Sequence, residues 1–284
     1  MKVIDGKALA AKLRAELKEK IEASGKEIGL AVVIVGDDPA SRIYVRNKIK
    51  ACGEVGIRSY SYELPADVSQ SQLEGLLEEL GREEKVQGIL LQLPLPKGLD
   101  SVSALKKIPY EKDVDGFSAE NIGKLALREK CTAACTPLGI MKLLESENIP
   151  LSGKRAVILG RSETVGKPMA LLLLNADATV TVCHSKTRGI KEICREADIL
   201  VSAVGIPKFV TADMVKPGAA VIDVGMDRDE NGKLCGDVDY DAVFPVAGCI
   251  TPVPGGVGPM TIAMLMKNTL MAAKLQNALL IKEK

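Results

Sequence analysis

Gly29-Leu-Ala-Val-Val-Ile-Val-Gly36 is an apolar run too short for a helix and closed at both ends by glycine, and Asp38-Pro39 then opens a helical pattern that continues through Val55. A strand followed at once by a helix is one β-α unit. The alternation repeats downstream, with residues 57–63 as a strand, a helix capped by Ser69 with Gln72 three residues on, and residues 86–92 as a further strand. Upstream, Leu9, Leu13, Leu17 and Ile21 recur every four residues until Gly25, which marks an opening amphipathic helix. Strand and helix alternating at this spacing predict a parallel α/β sheet.

Leu93-Pro-Leu-Pro96 and the polar residues 110–118 break the rhythm, and a helical segment over about 136–147 leads into Gly153. A second alternation follows: strands at 156–159, 179–183, 199–204 and 220–224, and a helix at 166–175. The last pattern, Ile262, Leu265, Met266 and Leu270, reads as a helix that packs back on the first domain. The expected fold is therefore α/β, with two α/β domains, the second a Rossmann-like parallel sheet, and an active-site cleft between them. The first is expected to comprise residues 1–137 plus 265–284, and the second residues 138–264.

Composition narrows the function. Across 284 residues, 38 Lys and Arg stand against 37 Asp and Glu, leaving no basic surplus for a nucleic-acid backbone. Aromatic residues make up 3% and Trp is absent, so base-stacking surfaces are not expected and the core must be aliphatic. The seven cysteines form no CxxC pair and are odd in number, which argues against a zinc site or a disulfide framework and fits a reducing cytosol. With no apolar leader after Met1-Lys-Val-Ile-Asp5 and no long apolar run, the expectation is a cytoplasmic protein without nucleic-acid or membrane partners and without a metal.

The strand ending at Leu159 runs into Gly160-Arg-Ser-Glu-Thr-Val-Gly166 and then a helix. Backbone amides at such a turn can hold a phosphate. The glycines are six apart, unlike the GxGxxG spacing, so a tight β-α turn that merely needs glycine explains the motif equally well. The next strand is more informative, because an NAD site usually ends it with Asp or Glu, whereas here Cys183 is followed by His184-Ser-Lys-Thr187. No carboxylate there repels a 2′-phosphate, Arg161 can offer a charge-assisted fork and Ser185 a neutral donor, so NADP is favoured over NAD. His184, the only histidine, sits beside the expected adenosine end and reads as a structural or nucleotide-contact residue rather than a base.

In the helix after Pro39, Tyr44 and Lys48 lie four apart on one face, about 160° around the axis from the Arg42, Arg46, Lys50 stripe at roughly 100° per residue. Lys48 either snorkels from a half-buried side or serves chemistry. Gln92 falls at the carboxyl end of its strand, where parallel sheets place ligands, within potential reach of Lys48 or a substrate. Lys112-Asp-Val-Asp-Gly-Phe117 supplies two carboxylates that form either a turn or a site.

At these residues the sequence resembles the bifunctional methylenetetrahydrofolate dehydrogenase/methenyltetrahydrofolate cyclohydrolase family. Five motifs in order carry the resemblance: Asp38-Pro-Ala-Ser-Arg-Ile-Tyr-Val-Arg-Asn-Lys48, Gln87-Gly-Ile-Leu-Leu-Gln-Leu-Pro-Leu-Pro96, residues 112–117, Gly160-Arg-Ser-Glu-Thr-Val-Gly-Lys-Pro168 and Thr251-Pro-Val-Pro-Gly-Gly-Val-Gly-Pro-Met-Thr261. Ala134 departs from the proline that the family often has before Cys135-Thr-Pro137, a matter of loop stiffness.

The resemblance implies that Tyr44 stacks on the folate's aminobenzoyl ring, that Lys48 is the catalytic lysine with Gln92 beside it, and that Asp115 binds the pterin. Pro254 and Gly255 are expected at the closing loop. The cofactor set is Gly160, Arg161, Ser162, Val165, Gly166, Ser185, Gly205 and Ile206, with Arg161 and Ser185 on the 2′-phosphate of NADP. It also implies a folate-binding first domain, an NADP-binding second domain and a homodimer. The expected chemistry is hydride loss from 5,10-methylenetetrahydrofolate to NADP, then water addition and ring opening to 10-formyltetrahydrofolate. The first step needs positioning and no histidine base; the second needs an acid–base group, for which Lys48 must lose its proton during the cycle. The rivals are a monofunctional dehydrogenase, whose expected sign is a replaced lysine, a non-catalytic dinucleotide sensor, and a dehydrogenase of a small acid, which would want an arginine clamp.

Overall fold

The computed structural model describes residues 2–230 and 232–282. In chain order its first half runs β1 (Lys2–Val3), α1 (Gly6–Ser24), β2 (Gly29–Val35), α2 (Pro39–Val55), β3 (Arg58–Leu64), α3 (Gln70–Arg82), β4 (Gly88–Leu91), α4 (Ser101–Leu105) and α5 (Ala119–Ala126). The second half runs α6 (Cys135–Ser146), β5 (Arg155–Leu159), α7 (Gly166–Asn175), β6 (Thr179–Cys183), α8 (Ile190–Arg195), β7 (Ile199–Ser202) and β8 (Ala220–Asp223). A hairpin of β9 (Asp227–Arg228) and β10 (Leu234–Cys235) follows, then α9 (Tyr240–Val243), β11 (Cys249–Ile250) and α10 (Val257–Lys282).

The chain divides into two compact units, residues 12–135 with 262–284, and residues 1–11 with 136–261. In the first unit, β2 is buried at all seven positions and is flanked by β3 and β4, both parallel to it. Such a strand has no solvent face, so it reads as a continuous apolar run rather than an alternation. Ala31, Val33 and Val35 pack one face against Leu73, Leu77 and Leu80 of α3 and against Ile89 and Leu91 of β4. The Ser69 hydroxyl and the Gln72 side chain close the reciprocal cap of α3 that their spacing predicts.

In the second unit six parallel strands take the order β1-β11-β8-β7-β5-β6. Val157, Leu159, Leu200, Val221 and Ile250 form its core. The first domain is expected from the sequence to begin at residue 1, whereas residues 1–11 group with the second unit. The reason is β1, which pairs Lys2 with Cys249 and Val3 with Ile250 and adds an edge to this sheet. Two-residue strands carry no detectable periodicity, so neither β1 nor β11 shows in the pattern. The last helix does return: residues 262–282 of α10 lie within the first unit, where Gln276 donates to the carbonyls of Gln87 at 2.8 Å and Glu111 at 3.1 Å.

Candidate active site

Asp38 starts α2, its carboxylate accepting from the Ser41 amide at 2.7 Å while Pro39 fills the first helical position without needing an acceptor. Ser41, Val45, Cys52 and Val55 turn inward, leaving Tyr44 and Lys48 together on an adjoining side of the helix. Tyr44 is 39% exposed, enough ring surface for a planar ligand to cover. Lys48 is half-buried, and its Nζ donates to Gln92 Oε1 at 2.9 Å.

The sheet itself aims Gln92. Its amide donates to the Val33 carbonyl at 2.8 Å, one step beyond the end of β4, so the side chain emerges at the carboxyl edge of the strands. Gln92 Nε2 donates to the Leu93 carbonyl at 2.6 Å, which leaves Oε1 facing the lysine. Gln92 is only 9% exposed, and both ends of its amide are used.

The two carboxylates of the 112–117 motif divide into distinct tasks. Ile89 donates to the Lys112 carbonyl at 2.8 Å and bridges to Asp113 in parallel sense, which lays this segment along β4 like a further strand. Lys112 anchors the approach by donating to the Glu83 carbonyl at 2.8 Å. Asp113, 4% exposed, accepts from the amides of Gly116 at 2.9 Å and Ser118 at 2.7 Å and from Asn121 Nδ2 at 3.1 Å. It is the turn-builder. Asp115, the other carboxylate of the motif, stands against the Cys135 thiol and close enough to Lys48 to feel its charge.

Residues that the sequence reading did not single out hold Asp115 in place. Asn268 Nδ2 on α10 donates to the carbonyls of Val114 at 2.8 Å and Ala133 at 2.7 Å, and the Cys135 thiol donates to Val114 at 3.4 Å. Gly116 has φ +67, and a Cβ there would stand 2.5 Å from the Ala133 carbonyl carbon, so this turn requires glycine. Asn268 had no signal of its own, since a buried position in an apolar helix looks like core.

In the second unit, Gly160 and Gly166 are also fixed by contact: a Cβ on the first would lie 2.3 Å from the Ala203 carbonyl oxygen, and on the second 2.3 Å from that of Gly160. The amides of Val165 and Gly166 donate to Ser162 Oγ at 3.2 and 3.3 Å, so a phosphate at this turn competes with that hydroxyl for them. β5 pairs Leu159 with Cys183 of β6, and Arg161 and Ser185, both exposed, each lie two residues past these neighbouring strand ends. No carboxylate stands between Cys183 and Arg188, so the donor set suits a dinucleotide that carries an extra phosphate. His184 is engaged in its own turn, its Nδ1 accepting from the Lys186 amide at 3.2 Å and its amide donating to Thr187 Oγ1 at 2.9 Å.

Gly205, at φ +65, and Ile206, 50% exposed, form the loop after β7. Pro254 and Gly255 lie in a separate turn of the same unit, where the Gly255 carbonyl accepts from the Lys7 amide at 2.9 Å. Lys48, Gln92 and Asp115 are thus gathered at the strand ends of one unit, with Tyr44 on the same helix as Lys48. Among the described residues, no group of three His, Cys, Asp or Glu side chains is placed to hold a metal, and no helix is long and apolar enough to cross a membrane.

This architecture defines a two-unit α/β protein with a Rossmann-like nucleotide-binding half. The chain belongs to the tetrahydrofolate dehydrogenase/cyclohydrolase family: the family's catalytic domain matches residues 4–115 and its NAD(P)-binding domain residues 134–277. It is similar to bifunctional protein FolD of Caldicellulosiruptor saccharolyticus, 57% identical over 279 residues that cover 96% of this chain and 100% of that protein. Among solved structures it resembles the bifunctional FolD dehydrogenase/cyclohydrolase of Campylobacter jejuni, with TM-score 0.95, 50% identity, and coverage of 97% of this chain and 99% of that one. It also resembles the Trypanosoma brucei FolD complexed with NADP cofactor and inhibitor, with TM-score 0.91, 45% identity, and coverage of 96% and 97%. The resemblance drawn from the five sequence motifs holds.

Loss of hydration pushes the Asp115 carboxyl from 3.8 up to about 6, against the pull of the Lys48 cation, with Asp113 adding a smaller push and the Cys135 thiol a smaller pull. The folded chain therefore keeps this proton up to about pH 6, while an unfolded chain releases it near 3.8. Burial of the ionised form thus costs stability as pH rises through that window, and costs nothing below it. Replacing Asp115 with Asn should help stability more at about pH 7 than at about pH 4, by up to about 2–3 kcal/mol. Urea unfolding of both proteins at the two pH values measures this; a difference that does not change with pH would show that Asp115 titrates normally.

Proposed function

We propose that this chain oxidises 5,10-methylenetetrahydrofolate to the 5,10-methenyl form with NADP and hydrolyses that product to 10-formyltetrahydrofolate, as a step of one-carbon folate metabolism. The observation that carries this reading is the Lys48–Gln92 hydrogen bond beside Asp115 in a chain of this family. Tyr44 stacks on the aminobenzoyl ring and Asp115 accepts hydrogen bonds from the pterin's N3–H and 2-amino edge, a two-donor pattern that suits a carboxylate. Pro254 and Gly255 contribute a further folate contact.

The unit of residues 1–11 and 136–261 binds NADP through Gly160, Arg161, Ser162, Val165, Gly166, Ser185, Gly205 and Ile206; the unit of residues 12–135 and 262–284 binds folate. NADP, when bound, supplies the hydride acceptor. The protein's task in that step is to hold the one-carbon bridge in position, because loss of hydride leaves a delocalised N5–N10 amidinium and releases no proton. Hydrolysis is different. Water adds to the amidinium carbon and the Lys48 amine takes one of its protons; that proton passes to N5 as the carbon–N5 bond breaks, and the carbinol hydroxyl releases the second proton to solvent as it becomes the formyl carbonyl. Gln92 orients the amine without adding charge.

The seven cysteines are all unpaired, which supports a cytoplasmic setting. The active species is a homodimer, as the family resemblance implies, and sedimentation equilibrium should return twice the chain mass; a single chain mass at micromolar concentration would contradict it.

Substituting Lys48 by Met should lower methenyl hydrolysis by about 100-fold or more while hydride transfer falls by less than about tenfold. Reduced cofactor, methenyl intermediate and formyl product are followed together by absorbance and chromatography. Equal loss of both steps with folate affinity intact would remove the assigned role, and a parent enzyme that accumulates methenylfolate would be a monofunctional dehydrogenase. Arg161→Ala should raise the NADP KM by about tenfold and leave that for NAD unchanged. An unaltered NADP value takes Arg161 out of the phosphate site.

A further inference from the structure

The segment Gly236-Asp-Val-Asp239 follows β10, and Asp237 within it is 0% exposed. Its Oδ2 accepts from the Ser202 hydroxyl at 3.0 Å and from the Val204 amide at 2.7 Å, and its Oδ1 accepts from the Ile206 amide at 3.1 Å. Two of these donors are backbone amides on either side of Gly205, in the loop that leaves the carboxyl end of β7. Gly205 has φ +65, and a Cβ there would meet nothing within 4 Å, so the loop is clamped from one side and open on the other.

Asp237 is itself held. Its amide donates to Asp223 Oδ1 at 2.9 Å, the Val238 amide donates to Asp223 Oδ2 at 2.9 Å, and Asp223 sits at the end of β8. Gly225 and Gly236 make room: a Cβ on Gly225 would lie 2.6 Å from Asp237 Oδ1, and one on Gly236 would lie 2.0 Å from Asp223 Oδ2. Two carboxylates in series therefore tie the strand β8 to the 236–238 segment and that segment to the 204–206 loop. The Asp227 carboxyl also faces Asp237, but the three groups named above are all donors, so an amide side chain, with one oxygen in place of two, leaves at least one of them without its acceptor.

We propose that Asp237 is a positioning residue for dinucleotide binding: by fixing the Val204 and Ile206 amides it sets Gly205 and Ile206 against the cofactor, without touching the cofactor itself. This rests on the reading that Gly205 and Ile206 contact NADP. Hydrolysis of methenyltetrahydrofolate uses no dinucleotide, and that separates a cofactor-loop role from a general structural one.

The full chain carrying Asp237→Asn is assayed for NADP-dependent oxidation and, separately, for hydrolysis of supplied methenyltetrahydrofolate. The NADP KM should rise by about tenfold, while the hydrolysis rate and the folate KM stay within about twofold. An unchanged NADP KM overturns the proposal, and so does an equal loss of both activities. Should this variant fail to fold, Ser202→Ala decides, with a rise of about two- to threefold in NADP KM alone expected and no rise overturning it. Ile206→Asp checks the underlying reading: an unchanged NADP KM there would overturn both, whereas a rise with Ile206→Asp and none with Asp237→Asn would overturn the clamp alone.

Discussion

Everything in the first unit depends on one strand being buried along its whole length. β2 has no solvent face and is paired on both edges by parallel strands, and parallel neighbours are reached only through crossover connections, here helical. Those crossovers put the start of α2 and the end of β4 at the same, carboxyl edge of the sheet. The hydrogen bond between Lys48 and Gln92 follows from that geometry, since one residue rides the helix that leaves β2 and the other lies one step past the end of β4, the neighbour of β2. The segment that carries Asp115 then lies along β4 for the same reason: Ile89 offers its amide to Lys112 on the free edge.

Carboxylates in this chain work in pairs, one spent on backbone amides and one kept apart for another partner. Asp113 absorbs the amides of Gly116 and Ser118, and Asp115 is left near Lys48. Asp223 absorbs the amides of Gly225, Asp237 and Val238, which frees the Asp237 carboxylate for the loop after β7. In each pair one carboxyl group gathers short donor bonds that build a turn, and the turn aims its neighbour. Glycine stands at the crowded point both times, because a Cβ on Gly116 would meet the Ala133 backbone and one on Gly236 the Asp223 carboxylate itself.

The elements that were legible from the sequence are those with internal periodicity or caps. The helix at 166–175 and the strand at 179–183 fall where the pattern puts them, and Ser69 with Gln72 caps α3. The strand expected over 199–204 ends at Ser202, because the Val204 amide turns away to Asp237, a partner 33 residues on that no local pattern announces. β1 escaped notice for a related reason: two residues acquire strand character only through pairing with residues 249 and 250. Within the site, Lys48, Gln92 and Asp115 were visible as motif residues, while Asn268 and Cys135, which hold the Asp115 turn by contacts across the sequence, were not. Chemistry-bearing side chains leave a local trace in sequence, but the side chains that brace them leave one only in space.

The choice of glutamine beside Lys48 has a consequence for the hydrolytic step. Gln92 cannot flip, since its Nε2 is held by the Leu93 carbonyl at 2.6 Å, and reversal would set oxygen against oxygen there and NH2 against the lysine. Its oxygen therefore remains a fixed acceptor for Lys48. Both an ammonium and an amine have N–H to donate, so the hydrogen bond survives when the lysine changes protonation state. A carboxylate at this position would hold the ammonium by charge and resist its loss of a proton. A locked, neutral acceptor keeps the lysine aimed in either protonation state, which is the property that the role proposed for it in hydrolysis requires and an ion pair would deny it.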